Sequence, residues 1–222
     1  MRVFDCVIVN SAHDLDLLEA RFLEYEDIPE ITHVIAEAPV NHKGDPKDKH
    51  FLRERYDRFA RWHGKWNHVE VEPHELPGKD PRVRKDALRE YLAHGIHGDP
   101  DDVILHGGTD EIPAPWVVRE VIAGSIPLPV AFEMRWCAYR PDRVHPGLWR
   151  GTMAQYWKYT ESLSGLRDQK NSLPAITDAG TRLSMLDEDE QDHHPDGHAL
   201  WDAEIDQTWP KWVHGKFPCN GE

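Results

Sequence analysis

The amino-acid sequence predicts an α/β domain: a mostly parallel sheet flanked by helices, with a smaller antiparallel β extension. Three observations carry this. Over the first 135 residues, short apolar runs rich in Val and Ile alternate with stretches of helical periodicity, the punctuation of βαβ units. Strands separated by helices need crossover connections, which produce parallel sheets covered on both faces. From residue 129 the pattern changes to longer, aromatic, β-rich runs around a turn containing Pro and Gly, which reads as an antiparallel pair.

The elements follow in order. A strand is predicted over 2–10, a helix over 15–25, a strand over 33–38 and a polar loop over 39–49. A helix then runs through Trp62, followed by a short strand at 68–72 and a helix over 82–94. The turn Gly98-Asp99-Pro100 feeds a strand over 103–106. The β-rich extension is predicted over 130–139 and 149–159, and beyond Ser162 the chain reads as loop-rich and acidic with scattered Trp. The length of 222 residues suits one domain, 1–222, with an N-terminal half over 1–128 and a second half over 129–222.

Composition narrows the class. Hydrophobic residues make up 39% and charged residues 30% of the chain, and no apolar run approaches the roughly 20 residues that span a bilayer. The run from Val3 to Val9 is short and broken by Asp5, unlike a secretory signal. A cytoplasmic protein with no membrane partner is therefore expected. Cys6, Cys137 and Cys219 are odd in number and lack CxxC spacing, so buried thiols are expected rather than a disulfide framework or zinc knuckle.

The net charge of −14 is uneven, because residues 187–206 hold nine Asp or Glu and no Lys or Arg. Residues 43–68 run the other way, with eight Lys or Arg against four Asp or Glu, interleaved with Phe51, Tyr56, Phe59, Trp62 and Trp66. Such a segment faces a polyanion, or it is an amphipathic helix with its aromatic face in the core and Arg53, Arg58 and Arg61 in solvent. The general behaviour of such helices favours the second reading.

In open α/β sheets ligands gather at the carboxyl ends of the strands. Gly107-Gly108-Thr109-Asp110-Glu111, directly after the strand over 103–106, is thus the first candidate for chemistry. Asp110 and Glu111 offer oxygen ligands for Mg²⁺ or Mn²⁺ and a general base, or they cap the helix that Pro113 and Pro115 introduce. Arg84, Lys85 and Arg89 lie at roughly helical spacing upstream, where they reach phosphates or form a solvated helix face. His193, His194 and His198 lack the pattern of an EF-hand and read as a polar loop, with one of them free to complete a metal's shell. Trp149, Trp201 and Trp209 suit stacking on the apolar faces of sugars. The sequence holds no P-loop, GxSxG elbow, HExxH helix or GxGxxG fingerprint.

Asp110-Glu111-Ile112-Pro113-Ala114, preceded by Pro100-Asp101-Asp102-Val103-Ile104, resembles the Asp-x-Asp-Glu-Ile-Pro block of glycosyltransferase family 17, the β-1,4-mannosyl-glycoprotein β-1,4-N-acetylglucosaminyltransferase family. Phe4-Asp5-Cys6 and the segment from Asp14 through Arg21 are similar to its opening strand and helix start. Ile35-Ala36-Glu37-Ala38 with His42-Lys43-Gly44, Asp86-Ala87-Leu88-Arg89, Ala131-Phe132-Glu133-Met134-Arg135 and Pro210-Lys211-Trp212 match further blocks in the same order.

The resemblance implies a GT-A-like (Rossmann-like) fold, with the nucleotide-sugar bound by the half over 1–128 and the acceptor by the half over 129–222. It implies inverting transfer of a hexosyl or N-acetylhexosaminyl group from a UDP-sugar. Donor contacts are expected at Asp5, Asn10, Glu37, Arg84, Arg89, Asp110 and Arg182. Asp110 is also the expected ligand of a divalent cation, Mn²⁺ or Mg²⁺. Glu111 and Asp178 are the candidate bases.

Two departures stand out. The first Asp of the family's Asp-x-Asp is Gly108 here, and the family's Gly-Trp-His segment corresponds to Gly180-Thr181-Arg182. Weaker metal binding, or replacement of the metal by Arg182, is the expected consequence. The expected acceptor is an intracellular saccharide or a hydroxymethylated base in bacteriophage DNA, in a bacterial or phage-infected cell. The alternative is a non-catalytic nucleotide- or sugar-binding module with a degenerate metal site.

Overall fold

The computed structural model describes residues 1–41, 43–47, 50–138, 143–184 and 201–202. Ten strands run in chain order: β1 (Val3–Val9), β2 (Ile31–Glu37), β3 (Trp66–Glu70), β4 (Val103–His106), β5 (Glu111–Pro113), β6 (Val130–Ala138), β7 (Arg143–Tyr156), β8 (Ala175–Ile176), β9 (Gly180–Ser184) and β10 (Trp201–Asp202). Four α-helices accompany them: α1 (Asp14–Glu24), α2 (Pro81–Tyr91), α3 (Pro115–Ile122) and α4 (Leu163–Asp168).

One sheet carries the order β3-β2-β1-β4-β7-β6-β9-β5, with β8 paired to β6 and β10 to β7. The first four strands are mutually parallel. The sheet then turns antiparallel at β4–β7 and β6–β7, while β6 and β9 are parallel and β5 closes the path antiparallel to β9. This is the expected mixed α/β architecture, with helices on a mostly parallel N-terminal sheet and an antiparallel extension.

The alternation of side chains along a strand sorts β1 between two cores. Phe4, Cys6 and Ile8 pack with Val34, Ala36, Leu88 and Leu92 under α2. Val7 and Val9 face the other way, toward Leu15, Leu18 and Phe22 of α1 and Phe59 and Trp62. Asp5 shares that second face and is wholly buried, so its charge must be met by a neighbour. Arg21, one face of α1 on from Leu17 and Leu18, donates from Nε to Asp5 Oδ2 at 2.9 Å and from Nη2 to Oδ1, and His33 Nδ1 lies 2.8 Å from Oδ2. Burial opposes ionisation of Asp5, but the Arg21 guanidinium and the His33 hydrogen bond overcome it and hold the carboxyl well below its usual range.

Several expectations are corrected. The segment through Trp62 is a 3₁₀ helix, Arg53–Trp62, with a non-helical Arg55, rather than a regular helix. Its Phe59 and Trp62 are core. Its arginines are paired rather than merely solvated: Arg58 with Asp16 and Glu19, Arg61 with Glu26, and Arg53 with Glu70. The region after Ser162 is not simply loop. Helix α4 is capped by Ser162 Oγ, which accepts from Gly165 N at 2.9 Å, and at six residues it is too short to show a period. Strand β9 has one large apolar residue, Leu183, and owes its extended form to pairing on both sides. His193, His194, His198, Trp209, the block Pro210-Lys211-Trp212 and Cys219 lie outside the described residues. Of Trp201, the backbone pairing with Val144 is described.

Asp5→Asn leaves the Arg21 charge buried without its counter-ion. The expected cost is about 3–5 kcal/mol of unfolding free energy, read as a lowered urea midpoint with unchanged m-value.

Candidate functional site

Strand β4 is buried along its whole length and delivers Gly107 and Gly108 at its carboxyl end, beside the corresponding ends of β1 and β2. The chain then turns through Thr109 and Asp110 into the three-residue strand β5. Register places Glu111 opposite Arg182, Ile112 opposite Thr181 and Pro113 opposite Gly180, so the two divergent family segments lie side by side. Gly180 has φ of +153°, and a Cβ there would stand 2.3 Å from Ile112 O. Only glycine permits this approach of β9 to β5.

A cavity of about 500 Å³ opens at these strand ends. Its polar lining comprises Asn10, Ser11 and Asp14 from the β1–α1 junction, Thr109, Asp110 and Glu111, and five cations: Lys85 and Arg89 from α2, Arg167 and Lys170 from α4 and its following turn, and Arg182 from β9. Helices α2 and α4 pack together, which brings their basic residues to one wall.

The carboxylates are unequal. Glu111 is buried, and its two oxygens accept four hydrogen bonds: from Gly108 N at 3.0 Å, Trp149 Nε1 at 2.8 Å, Arg167 Nη1 at 2.6 Å and Arg167 Nη2. That fills a carboxylate's acceptor capacity. Burial disfavours its charge, but Arg167 and these donors outweigh it and hold Glu111 at about 2. Asp14 accepts from Asn10 N, Ser11 N and Thr109 Oγ1 at 2.7, 2.8 and 3.0 Å. Asp110 Oδ2 accepts from Arg182 Nε at 2.9 Å. Burial and the adjacent Glu111 push Asp110 upward, against the pull of Arg182.

The cations repel one another. Burial and then the neighbouring guanidinium groups lower Lys85, Arg89 and Lys170. Beneath the cavity, burial followed by Arg167 and Arg89 takes His106 down to about 3. The neutral His106 donates from Nδ1 to Cys6 O at 3.2 Å. Arg182 lies 3.7 Å from the Trp149 ring centroid and 5.0 Å from that of Trp136, and Lys170 Nζ sits 4.1 Å from the Trp149 ring centroid.

Of the residues expected at the donor site, Asn10, Arg89, Asp110 and Arg182 line this cavity, as does Glu111. The others lie elsewhere. Asp5 is in the buried ion pair beneath the site. Glu37 is buried and accepts from Phe51 N and Leu52 N at 2.7 and 3.1 Å, so it tethers the loop after β2 instead of reaching the cavity. Arg84 is bonded to Gly78 O from Nε and Nη2, away from the lining. Asp178 is exposed in the β8–β9 turn with φ of +52° and does not itself line the cavity, although Arg182 of the adjoining segment does. Glu111 lacks an acceptor site for a substrate proton.

The residues missed from sequence are Arg21, Arg167 and Lys170. Arg21 Nη1 donates to Gly108 O at 3.0 Å and to Glu111 O, so the buried pair with Asp5 also holds the strand-end loop. A helical Arg on the core-facing stripe of α1 was the available signal for Arg21.

A divalent ion held by carboxylates does not fit this donor set. Glu111 and Asp14 are committed to other partners, and Asp110 faces a guanidinium. Among the described residues no group of three His, Cys, Asp or Glu is placed to hold a metal ion. Gly108 contributes no carboxylate, and a Cβ added there would lie 2.3 Å from Asp110 Oδ1. The Asp110 carboxylate thus occupies the space that a side chain at 108 would enter.

The chain is thus an α/β protein with a polar, cation-rich cavity at the carboxyl ends of its parallel strands. Residues 1–187 match the sequence model of glycosyltransferase family 17, and the chain belongs to that family. No curated protein matches the chain. Similar solved structures include the galactosyltransferase LgtC in complex with donor and acceptor sugar analogs, at 14% identity over 82% of this chain and 73% of that one, TM-score 0.40. An active-site mutant of LgtC matches at 11% identity and TM-score 0.39, with 77% of this chain covered; the match spans only 65% of the mutant's own chain. Mouse xyloside xylosyltransferase 1 in its apo form matches at 11% identity over 81% and 79%, TM-score 0.33. No helix among the described residues is long and apolar enough to cross a membrane.

Glu111 contributes stability that is complete above its ordinary value of 4.5 and is lost as pH falls through about 2. Glu111→Gln is therefore expected to unfold more easily than the parent at neutral pH by about 3–5 kcal/mol. Denaturant titrations at successive pH values should show that gap shrinking below pH 4.5 and closing near pH 2.

Proposed function

We propose that the protein transfers a sugar from a nucleoside diphosphate sugar, a UDP-sugar in the first instance, to a hydroxyl of a saccharide. The observation that carries this is the charge balance of the strand-end cavity. Five cationic side chains face three carboxylates, of which Glu111 already accepts four hydrogen bonds from the protein and Asp14 three. The wall has positive charge to spare, which suits a ligand with two linked phosphates.

In such a transfer the acceptor oxygen forms a bond to the anomeric carbon, the bond from that carbon to the diphosphate breaks, and the acceptor proton passes to a base. The protein's cations stabilise the diphosphate as negative charge develops on the departing oxygen. An inverting course follows from the family resemblance. Trp149, held by Glu111 and stacked against Arg182 and Lys170, fixes where these two cations stand in the cavity.

The saccharide reading of the acceptor gains ground because the basic aromatic segment that motivated modified DNA is spent on structure. Phe59 and Trp62 are core, and Arg58 and Arg61 are paired to acids of α1 and the turn after it. Such paired arginines are poorly placed to neutralise phosphates.

Purified protein incubated with a panel of UDP-, GDP- and ADP-sugars and mixed saccharide acceptors is expected to release nucleoside diphosphate and add one hexosyl or N-acetylhexosaminyl mass to an acceptor. Mass spectrometry reads both products. Donor binding with neither hydrolysis nor transfer, across the panel and with and without Mn²⁺, would support a binding module instead.

A further inference from the structure

We infer that the two carboxylates of the Asp110-Glu111 motif position arginines, and that guanidinium and ammonium groups, with Arg182 foremost, take the diphosphate in place of a divalent cation. This rests on the diphosphate reading of the cavity and specifies which groups do the binding.

The geometry is a closed ring of contacts. Glu111 clamps Arg167 through both oxygens and also accepts from Trp149 Nε1. The face of Trp149 lies against the Arg182 guanidinium. Arg182 completes the ring by donating Nε to Asp110 Oδ2. Each carboxylate therefore fixes one arginine, and the indole holds the second at a set distance from the first. The Arg182–Asp110 bond uses Nε alone, leaving the Nη groups without an acceptor among the described residues and available for phosphate oxygens. Lys85 makes no hydrogen bond or ion pair from its side chain among the described residues, and the Lys170 ammonium rests on Trp149 without a carboxylate partner.

The same arrangement disfavours a metal on Asp110. A divalent ion would compete with Arg182 for Asp110, the carboxylate with the most spare capacity, and would approach five cations to do so. Gly108 supplies no second carboxylate, and Asp110 Oδ1 fills the space one would use. A preformed guanidinium fork reaches adjacent phosphate oxygens without these conflicts.

Isothermal titration of the full chain with inorganic pyrophosphate and with UDP tests this, in excess EDTA and in excess Mn²⁺ or Mg²⁺. The expected result is binding in EDTA, with dissociation constants that change by no more than about twofold when metal is added. Arg182→Ala is expected to raise the dissociation constant of both probes about tenfold or more, the scale of a charge-assisted hydrogen-bond pair. Arg182→Lys should recover part of it, because an ammonium keeps the charge and loses the fork.

Asp110→Asn is expected to weaken pyrophosphate binding although the variant removes a negative charge from the cavity, which a simple charge effect would not do. Thermal melts establish that each variant is folded, and Arg119→Ala, on the exposed face of α3, serves as the control that leaves binding unchanged. Binding that appears only with Mn²⁺ or Mg²⁺ overturns the inference and leaves the cavity as a diphosphate site. Absence of binding to either probe, with or without metal, overturns both. Tighter pyrophosphate binding by Asp110→Asn overturns the positioning role.

Discussion

The buried guanidinium of Arg21 is the interaction on which the rest of the structure depends. It is wholly inaccessible to solvent and makes contact with three separate parts of the chain: Asp5 in β1, the carbonyl of Gly108 after β4, and the carbonyl of Glu111 at the start of β5. A buried arginine is costly unless most of its donors find acceptors, and here a carboxylate and two carbonyls supply them. The cost of burying the pair is offset by the definition it gives. Helix α1 is fixed against β1, and the loop that presents Asp110 and Glu111 is fixed against both.

Above that plane the molecule manages charge by layers. Asp5 and Arg21 neutralise one another inside the sheet. Glu111 and Arg167 do so at the cavity floor, where burial makes their contact strong. Only toward the opening does the balance shift, and there the lysines and remaining arginines outnumber the acids. His106, kept neutral just below, adds no further positive charge to a wall that already carries five cations. Positive charge thus gathers at the mouth of the site in a chain whose net charge is −14.

Much of the frame was legible in the sequence. The apolar runs of β1, broken by Asp5, and of β4 announced buried parallel strands, and the strand-end rule led directly from His106 to Asp110 and Glu111. The family resemblance singled out Gly180-Thr181-Arg182, but their pairing with β5 is a non-local fact that no spacing reveals. Arg167 and Lys170 were invisible for the same reason, since they come from a six-residue helix and the turn after it, more than fifty residues downstream of Glu111. The roles of the acids were misread because acceptor capacity is spent by partners distant in sequence. Glu111 looked like a base until Trp149 and Arg167 filled its oxygens. The basic segment at 43–68 looked unbalanced because its counter-charges, Asp16 and Glu19, lie 42 and 39 residues upstream of Arg58.

The crowding at Gly108 bears on how such a site changes over descent. Asp110 Oδ1 stands where a Cβ at position 108 would sit, and Arg182 holds that carboxylate in place. A single substitution that restored a side chain at 108 would first displace Asp110 and loosen Arg182, harming the present arrangement before any alternative could form. The three positions are therefore coupled in their mutational history. The effect of a side chain at 108 thus depends on what stands at 110 and 182, and substitutions at the three positions are not expected to add.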